Sequence, residues 1–261
     1  MSGFGGDISI ELTAEKVAVV TLSRPPHNYI SRAMIKAIGD ALAELDADPS
    51  CRAVLLAAAG KNFCAGAMHD PDQPETMAPD TQDEARKWDA VARLFASQKP
   101  IVAAVQGAAV GAGFGLAMLA DFRVGGESTR FAANFVKIGF CPGFGLPVTL
   151  PRVVGAQRAA FMFETGRRFS AEEVAPWGLV DVLAAEHELH ASALALATEL
   201  AGNAPLGMAF TRKRWRGDLA AAVRASLEID SPEQSRLRLT EDHVEGVLAY
   251  RERRAPNFNG R

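Results

Sequence analysis

The chain has 261 residues, 48% of them apolar and 23% charged, with a formal net charge of −3. This is the composition of an ordinary globular protein long enough for one large core, and its charge makes no general case for nucleic acid as a partner. Three widely spaced cysteines, Cys51, Cys64 and Cys141, with no CxxC pair, argue against a disulfide framework or a zinc site and fit a reducing compartment. The start, MSGFGGDISIEL, has neither a basic stretch nor a long apolar one, so no signal peptide is expected and the cytoplasm is the expected location.

In chain order, ISIEL (8–12) and VAVVTL (17–22) are two β runs split by TAEK and read as a hairpin. RPPHN stops the second strand. Met34, Ile35, Ile38, Leu42 and Leu45 recur at helical spacing and predict an amphipathic helix over 31–46. AVLLAA (53–58) is a short, continuously apolar strand of the kind buried on both faces. It runs into the small-residue segment AGKNFCAGAM. Residues 68–83 hold three prolines and five acidic residues without apolar periodicity, and predict a loop suited to a lid. A helix over 84–98 follows, stopped at Lys99-Pro100. Then come the strand IVAAV (101–105), the glycine run QGAAVGAGFG, a helix to about 120 and a strand near FRVG.

Short apolar strands alternating with helices predict an α/β fold with much parallel pairing. Residues 131–155 are turn-rich, and from 155 onward helices dominate, with breaks expected at Pro205 and Pro232. The expected organisation is a core over 1–200 and a helical region over 201–261. Segment 101–120 has the length of a membrane span. Gln106, four glycines and a change of period favour a buried strand–turn–helix instead.

Among short motifs, GxSxG, HExxH and GxxxxGK[ST] are absent. Gly111-Ala-Gly113-Phe-Gly115 loosely resembles a dinucleotide fingerprint, but the acid that motif needs lies about twenty residues on, and Asp121 comes too early. His187 and His190, flanked by Glu186 and Glu188, lack a third ligand and read as a solvated helix face, so no metal is expected. TRKRWR (211–216) reads as an exposed basic helix face with one buried tryptophan, or as an RNA contact.

FCAGAM (63–68) and GAAVGAGFG (107–115) combine best. Each follows a buried strand, and small residues let a ligand approach the backbone closely. Two such loops facing one point present two N–H groups to one oxygen, which is the design of an oxyanion hole.

LSRPPHN, FCAGAM, KPIVAAVQGAAVGAGFGLAMLADFRVG, IGFCPGFG, TGRRFSAEEVAPWGLVDVL and the terminal YRERRAPNF resemble, in order and spacing, the crotonase (enoyl-CoA hydratase/isomerase) superfamily over nearly the whole chain. The resemblance implies a spiral of repeated ββα units with an α-helical C-terminal trimerisation region. It further implies an acyl-CoA thioester as substrate, trimers or dimers of trimers, no cofactor beyond the coenzyme A of the substrate, and no membrane or nucleic-acid partner. Carried over by residue, it puts the oxyanion-hole N–H groups at Ala65 and Ala112. It puts coenzyme A and substrate contacts around Arg24, His27, Gly66, Ala67, Met68, Gly111, Gly115, Phe135 and Phe258, with Arg254 a further candidate.

Hydratases of that family carry two glutamates as an acid–base pair, and counting without gaps puts them at Gly115 and Phe135 here. Neither residue can move a proton. Cys141 and His69 are the replacement candidates, with Asp70 and the more remote Glu164. The expected function is an acyl-CoA-transforming enzyme that stabilises a thioester enolate without the usual glutamates and hydrates enoyl-CoA poorly. The alternative is a non-catalytic acyl-CoA- or RNA-binding protein of the same fold.

Overall fold

Ser31 has extended backbone and accepts a hydrogen bond from the Met34 N–H, which starts helix α1 (Arg32–Ala47). That helix buries Met34, Ile35, Ile38, Leu42 and Leu45, the stripe read from the sequence. The computed structural model describes residues 6–67 and 89–261. The expected lid and the start of the expected 84–98 helix lie outside them, and α2 is described over 89–94.

β1 (Ile8–Leu12) and β2 (Val17–Leu22) form the expected antiparallel hairpin. β2 pairs parallel with β3 (Ala53–Ala58), β3 with β4 (Ile101–Val105), and β4 with β6 (Phe122–Gly125). With β9 (Val182–Leu183) these make one sheet in the order β1-β2-β3-β4-β6-β9. A second sheet holds β5 (Ala108–Val110), β7 (Arg130–Ala132) and β8 (Arg168–Ser170). Cys64 extends it by a parallel bridge to Ala109.

The chain therefore repeats one move. β3 leads to Cys64, β4 to β5 and β6 to β7, each time from the first sheet to the second. This is the expected spiral. The strand β5 was hidden in the glycine run, because three residues between glycines carry no period.

The first sheet is buried on both faces. α1 and α2 lie over one face with Val54, Leu56 and Ile101. α7 (Leu189–Gly202) lies on the other, placing Leu189, Ala193, Ala197 and Ala201 against Leu55, Val102 and Val124. Its alanine stripe lets the helix close on the strands.

The C-terminal region consists of α8 (Pro205–Arg216), α9 (Leu219–Leu237) and α10 (Glu241–Glu252). Pro205 opens α8, where its missing N–H costs nothing. Pro232, expected to break the helix, lies inside α9. Buried Leu227 and Gln234 anchor α9 on either side of it, and the breaks fall instead at Gly217, which has φ +55°, and at 238–240. The turn-rich 131–155 segment contains β7, a 3-10 turn (Asn134–Ile138) and α4 (Leu146–Val154). α5 (Ala156–Thr165) and the short α6 (Ala171–Val174) follow.

Candidate active site

The two small-residue loops meet as the sequence suggests. The Cys64 N–H donates to Ala108 O at 2.9 Å, and the Val110 N–H to Cys64 O at 3.1 Å. Glycines make the contact possible. A Cβ on Gly66, which has φ +98°, would lie 2.8 Å from Val110 O and 3.9 Å from the Ala112 nitrogen. A Cβ on Gly113 would collide with the Cys64 carbonyl. The loop at 24–30 frames this junction. Buried Asn28 donates from Nδ2 to Ala59 O and Asn62 O, both at 2.8 Å, and accepts from the Arg24 N–H.

The backbone donors in this junction have distinct fates. The Ala65 N–H donates to His27 O at 2.9 Å, so it is not free to act as the expected oxyanion-hole donor. Burial pushes the pKa of the Cys64 thiol up to about 12, so it is protonated at neutral pH. The Ala67 N–H has no acceptor among the described residues. The same holds for Ala112, the first residue of α3 (Ala112–Ala117), whose N–H precedes the helical ladder.

Two aromatic residues close over α3. A Cβ on Gly115 would lie 2.8 Å from Phe144 Cβ, Cδ1 and O, so Phe144 fills the space a side chain there would need. Phe144 is itself a non-glycine residue at φ +55°. The Phe135 ring lies 3.9 Å from the position of a Gly111 Cβ. Both rings are buried.

Met68, His69 and Asp70 lie outside the described residues. Arg24 is held by Asp7 at 3.5 Å and by Tyr29 O at 2.8 Å. His27 is exposed, with its ring against Tyr29. Burial, with the charges of Asp230 and Glu233 adding to it, pushes the Cys141 thiol up to about 11, so it is protonated at neutral pH. Arg254 forms a two-pronged pair with Glu245 at 2.5 and 2.8 Å, and Phe258 is partly exposed on the tail beyond it. Glu164 is exposed on α5.

TRKRWR holds a reversal. Trp215, expected to be buried, is exposed, while Arg212 and Arg216 are buried. Both clamp Asp121: Arg212 Nε reaches Oδ2 at 2.7 Å and Arg216 Nη1 reaches Oδ1 at 2.5 Å. Asp121 also accepts the Ile101 N–H at 2.8 Å. The aspartate read only as a failed dinucleotide acid is the joint between α8 and the sheet. Its partners lie more than ninety residues away, so no local pattern could reveal it.

Comparison with known proteins agrees with this fold. The enoyl-CoA hydratase/isomerase family profile matches residues 13–261. A carnitinyl-CoA dehydratase of Salmonella typhi is 33% identical, covering 97% of this chain and 99% of that protein. A carnitinyl-CoA hydratase structure from Mycobacterium avium superposes with a TM-score of 0.85 at 31% identity, covering 98% of this chain and 99% of that one. An enoyl-CoA hydratase/isomerase structure from Pseudoalteromonas atlantica gives 0.84 at 28% identity, over 97% and 100% of the two chains. With its spiral, its interlocked loops and a match over almost its full length, the chain belongs to the enoyl-CoA hydratase/isomerase family of the crotonase superfamily.

Proposed function

We propose that the protein transforms an acyl-CoA thioester by holding its carbonyl oxygen between the N–H groups of Ala67 and Ala112. Two N–H groups without an acceptor among the described residues, on loops bonded to each other, support this above all. As the α-carbon loses a proton or a substituent, negative charge moves to the thioester oxygen. Fixed donors in a water-poor site stabilise that enolate, and removing one such donor costs roughly 10²–10³ in kcat. Before substrate arrives the Cys64 carbonyl ties the two loops together through the Val110 N–H, and the Ala132 carbonyl of β7 holds the glycine loop through the Gly111 N–H.

Gly115 and Phe135, at the places of the family's glutamate pair, have no proton to exchange. The site therefore favours enolate chemistry over addition of water, and the turnover expected with crotonyl-CoA is weak. Robust hydration, at a kcat on the order of 10²–10³ s⁻¹ or above, would overturn this reading. Titration with a panel of coenzyme A esters tests its first step, since an enzyme of this kind must bind at least one.

A non-catalytic acyl-CoA-binding protein is the second reading, favoured by the absence of a proton carrier at Gly115 and Phe135. RNA binding loses its support, because Arg212 and Arg216 are committed to Asp121. Self-association as trimers or dimers of trimers fits the apolar side chains that α8 and α9 expose, among them Leu206, Phe210 and Ile229. No helix among the described residues is long and apolar enough to cross a membrane.

A further inference from the structure

The turn Asn134–Ile138 carries Phe135 to Gly111 and is held from more than one direction. Gly166, at φ +56°, packs on it, with a Cβ position 3.5 Å from the Asn134 Cα and 2.8 Å from Lys137 Cγ. α10 closes on its far end. A Cβ on Gly246 would lie 2.7 Å from the Ile138 Cα, and His243 Nδ1 donates to Ile138 O at 2.7 Å. Just before the turn, Ala132 O accepts the Gly111 N–H at 2.9 Å. The side chains at the start of the turn therefore stand on a fixed support.

Asn134 brings an amide to the same spot as the Phe135 ring. Its Oδ1 lies 3.5 Å from the place of a Gly111 Cβ, closer than the ring at 3.9 Å. Gly111 immediately precedes Ala112, one of the two proposed oxyanion donors. A glycine there, at φ +53°, leaves the space before the amide open. Asn134 is half-buried, and its side chain has no hydrogen-bond partner among the described residues. Asn28, which frames the same junction, spends both ends of its amide on backbone groups. With neither end bonded, the Asn134 amide can turn by half about its last bond and offer its Nδ2–H instead of its oxygen. A half-buried amide of this kind, beside a backbone donor and an apolar ring, is placed to bind an oxygen of the ligand.

We propose that Asn134 selects a 3-oxoacyl thioester, its Nδ2–H donating to the 3-oxo oxygen while Ala67 and Ala112 hold the thioester oxygen. The inference rests on the acyl-CoA reading above and deepens it by naming the acyl class. The two oxygens of a 3-oxoacyl group stand in a 1,3 relation, so donors next to each other can hold both. The carbon between two carbonyls is also a far stronger acid than one beside a thioester alone. Its proton passes to hydroxide from the solvent, giving water, and the electron pair left behind spreads over both oxygens. No side chain at 115 or 135 has to act as the base. The hydrogen bonds to both oxygens strengthen as that charge develops. A plain alkyl acyl group leaves the amide unpaired.

Calorimetric titration with acetoacetyl-, 3-hydroxybutyryl- and butyryl-CoA tests this. The expected order is acetoacetyl, 3-hydroxybutyryl, butyryl, with the first about tenfold tighter than the last. Asn134→Ala should bring that ratio close to one. Asn134→Asp, which keeps the shape and replaces the donor by a charged acceptor, should bring acetoacetyl-CoA below butyryl-CoA. A second readout is the near-ultraviolet absorbance of the acetoacetyl-CoA enolate at fixed pH. It should rise on binding to the parent protein and stay flat with Asn134→Ala. Butyryl-CoA bound as tightly as acetoacetyl-CoA, a preference untouched by Asn134→Ala, an equal loss for all three esters, or an enolate signal that does not distinguish the two proteins overturns the role of Asn134 and leaves the acyl-CoA reading standing. If none of the three esters binds, the acyl-CoA reading falls, and this inference with it.

Discussion

Gly115 illustrates how a single position is decided by its surroundings. A glutamate there would begin inside Phe144, whose Cβ, Cδ1 and carbonyl oxygen each lie 2.8 Å from the place of the new Cβ. Overpacking of this kind costs roughly 1–3 kcal/mol. Gly115→Glu alone should therefore lower the thermal midpoint, and adding Phe144→Gly should recover part of the loss, while neither restores hydration of crotonyl-CoA with Phe135 in place. Gly66→Ala should be harsher, because φ +98° and the 2.8 Å approach to Val110 O both exclude a side chain. We expect loss of acyl-CoA binding together with lower stability, read by calorimetry and thermal unfolding. The sequence alone does not separate Ala65 from Ala67, because only the hydrogen bond from the Ala65 N–H to His27 O shows which amide of CAGA is already occupied.

Among elements, α8 is held by charge more than by apolar contact. Leu206, Phe210 and Trp215 are exposed, whereas Arg212 and Arg216 bury their guanidinium groups on Asp121. Removing one partner of a buried ion pair strands the other and costs about 3–5 kcal/mol. Asp121→Asn leaves two buried arginines short of a counter-charge, so it should destabilise the fold by that order, measured by denaturant unfolding. Lys213→Gln with Arg214→Gln, both on the exposed face, should change stability by less than about 0.5 kcal/mol. The strands and α1 were legible because burial on one or both faces imposes a period. β5, and the continuation of α9 through Pro232, depend on neighbours distant in sequence.

For the whole molecule, the titrations of buried His243 and half-buried Asp230 pull stability in opposite directions. His243 sits between Phe140 and Ile138 O, which its Nδ1 approaches at 2.7 Å, so that nitrogen carries the proton. Burial holds its pKa below the free value. Above about 6.5 the ring is neutral in both folded and unfolded chains. As pH falls below that value the unfolded chain takes up a proton that the folded chain refuses, and stability is lost. Asp230 works the other way. Its folded pKa is about 6 against an unfolded value of about 3.9, so the stability linked to its protonated form is present below about 3.9 and lost as pH rises through about 6. Asp230→Asn should raise the thermal midpoint near pH 8 and leave it unchanged near pH 4. The gain should be at most about 3 kcal/mol, reduced by the solvent that reaches the group.

The sequence by itself determined the alternation of strands and helices, the two small-residue loops, the family resemblance, and the absence of side chains able to carry a proton at 115 and 135. These are local or ordered along the chain, and period, residue size and motif order record them directly. Tertiary structure alone decided that the Ala65 N–H is spent on His27 O while the Ala67 N–H has no acceptor among the described residues, and that Phe144 fills the space beside Gly115. It alone decided that Asp121 gathers two arginines and that Asp230 stays half-buried with no cationic partner among the described residues. Each of these is a question of which group is already bonded or desolvated. The answer is set by residues that folding brings close, often from far along the chain.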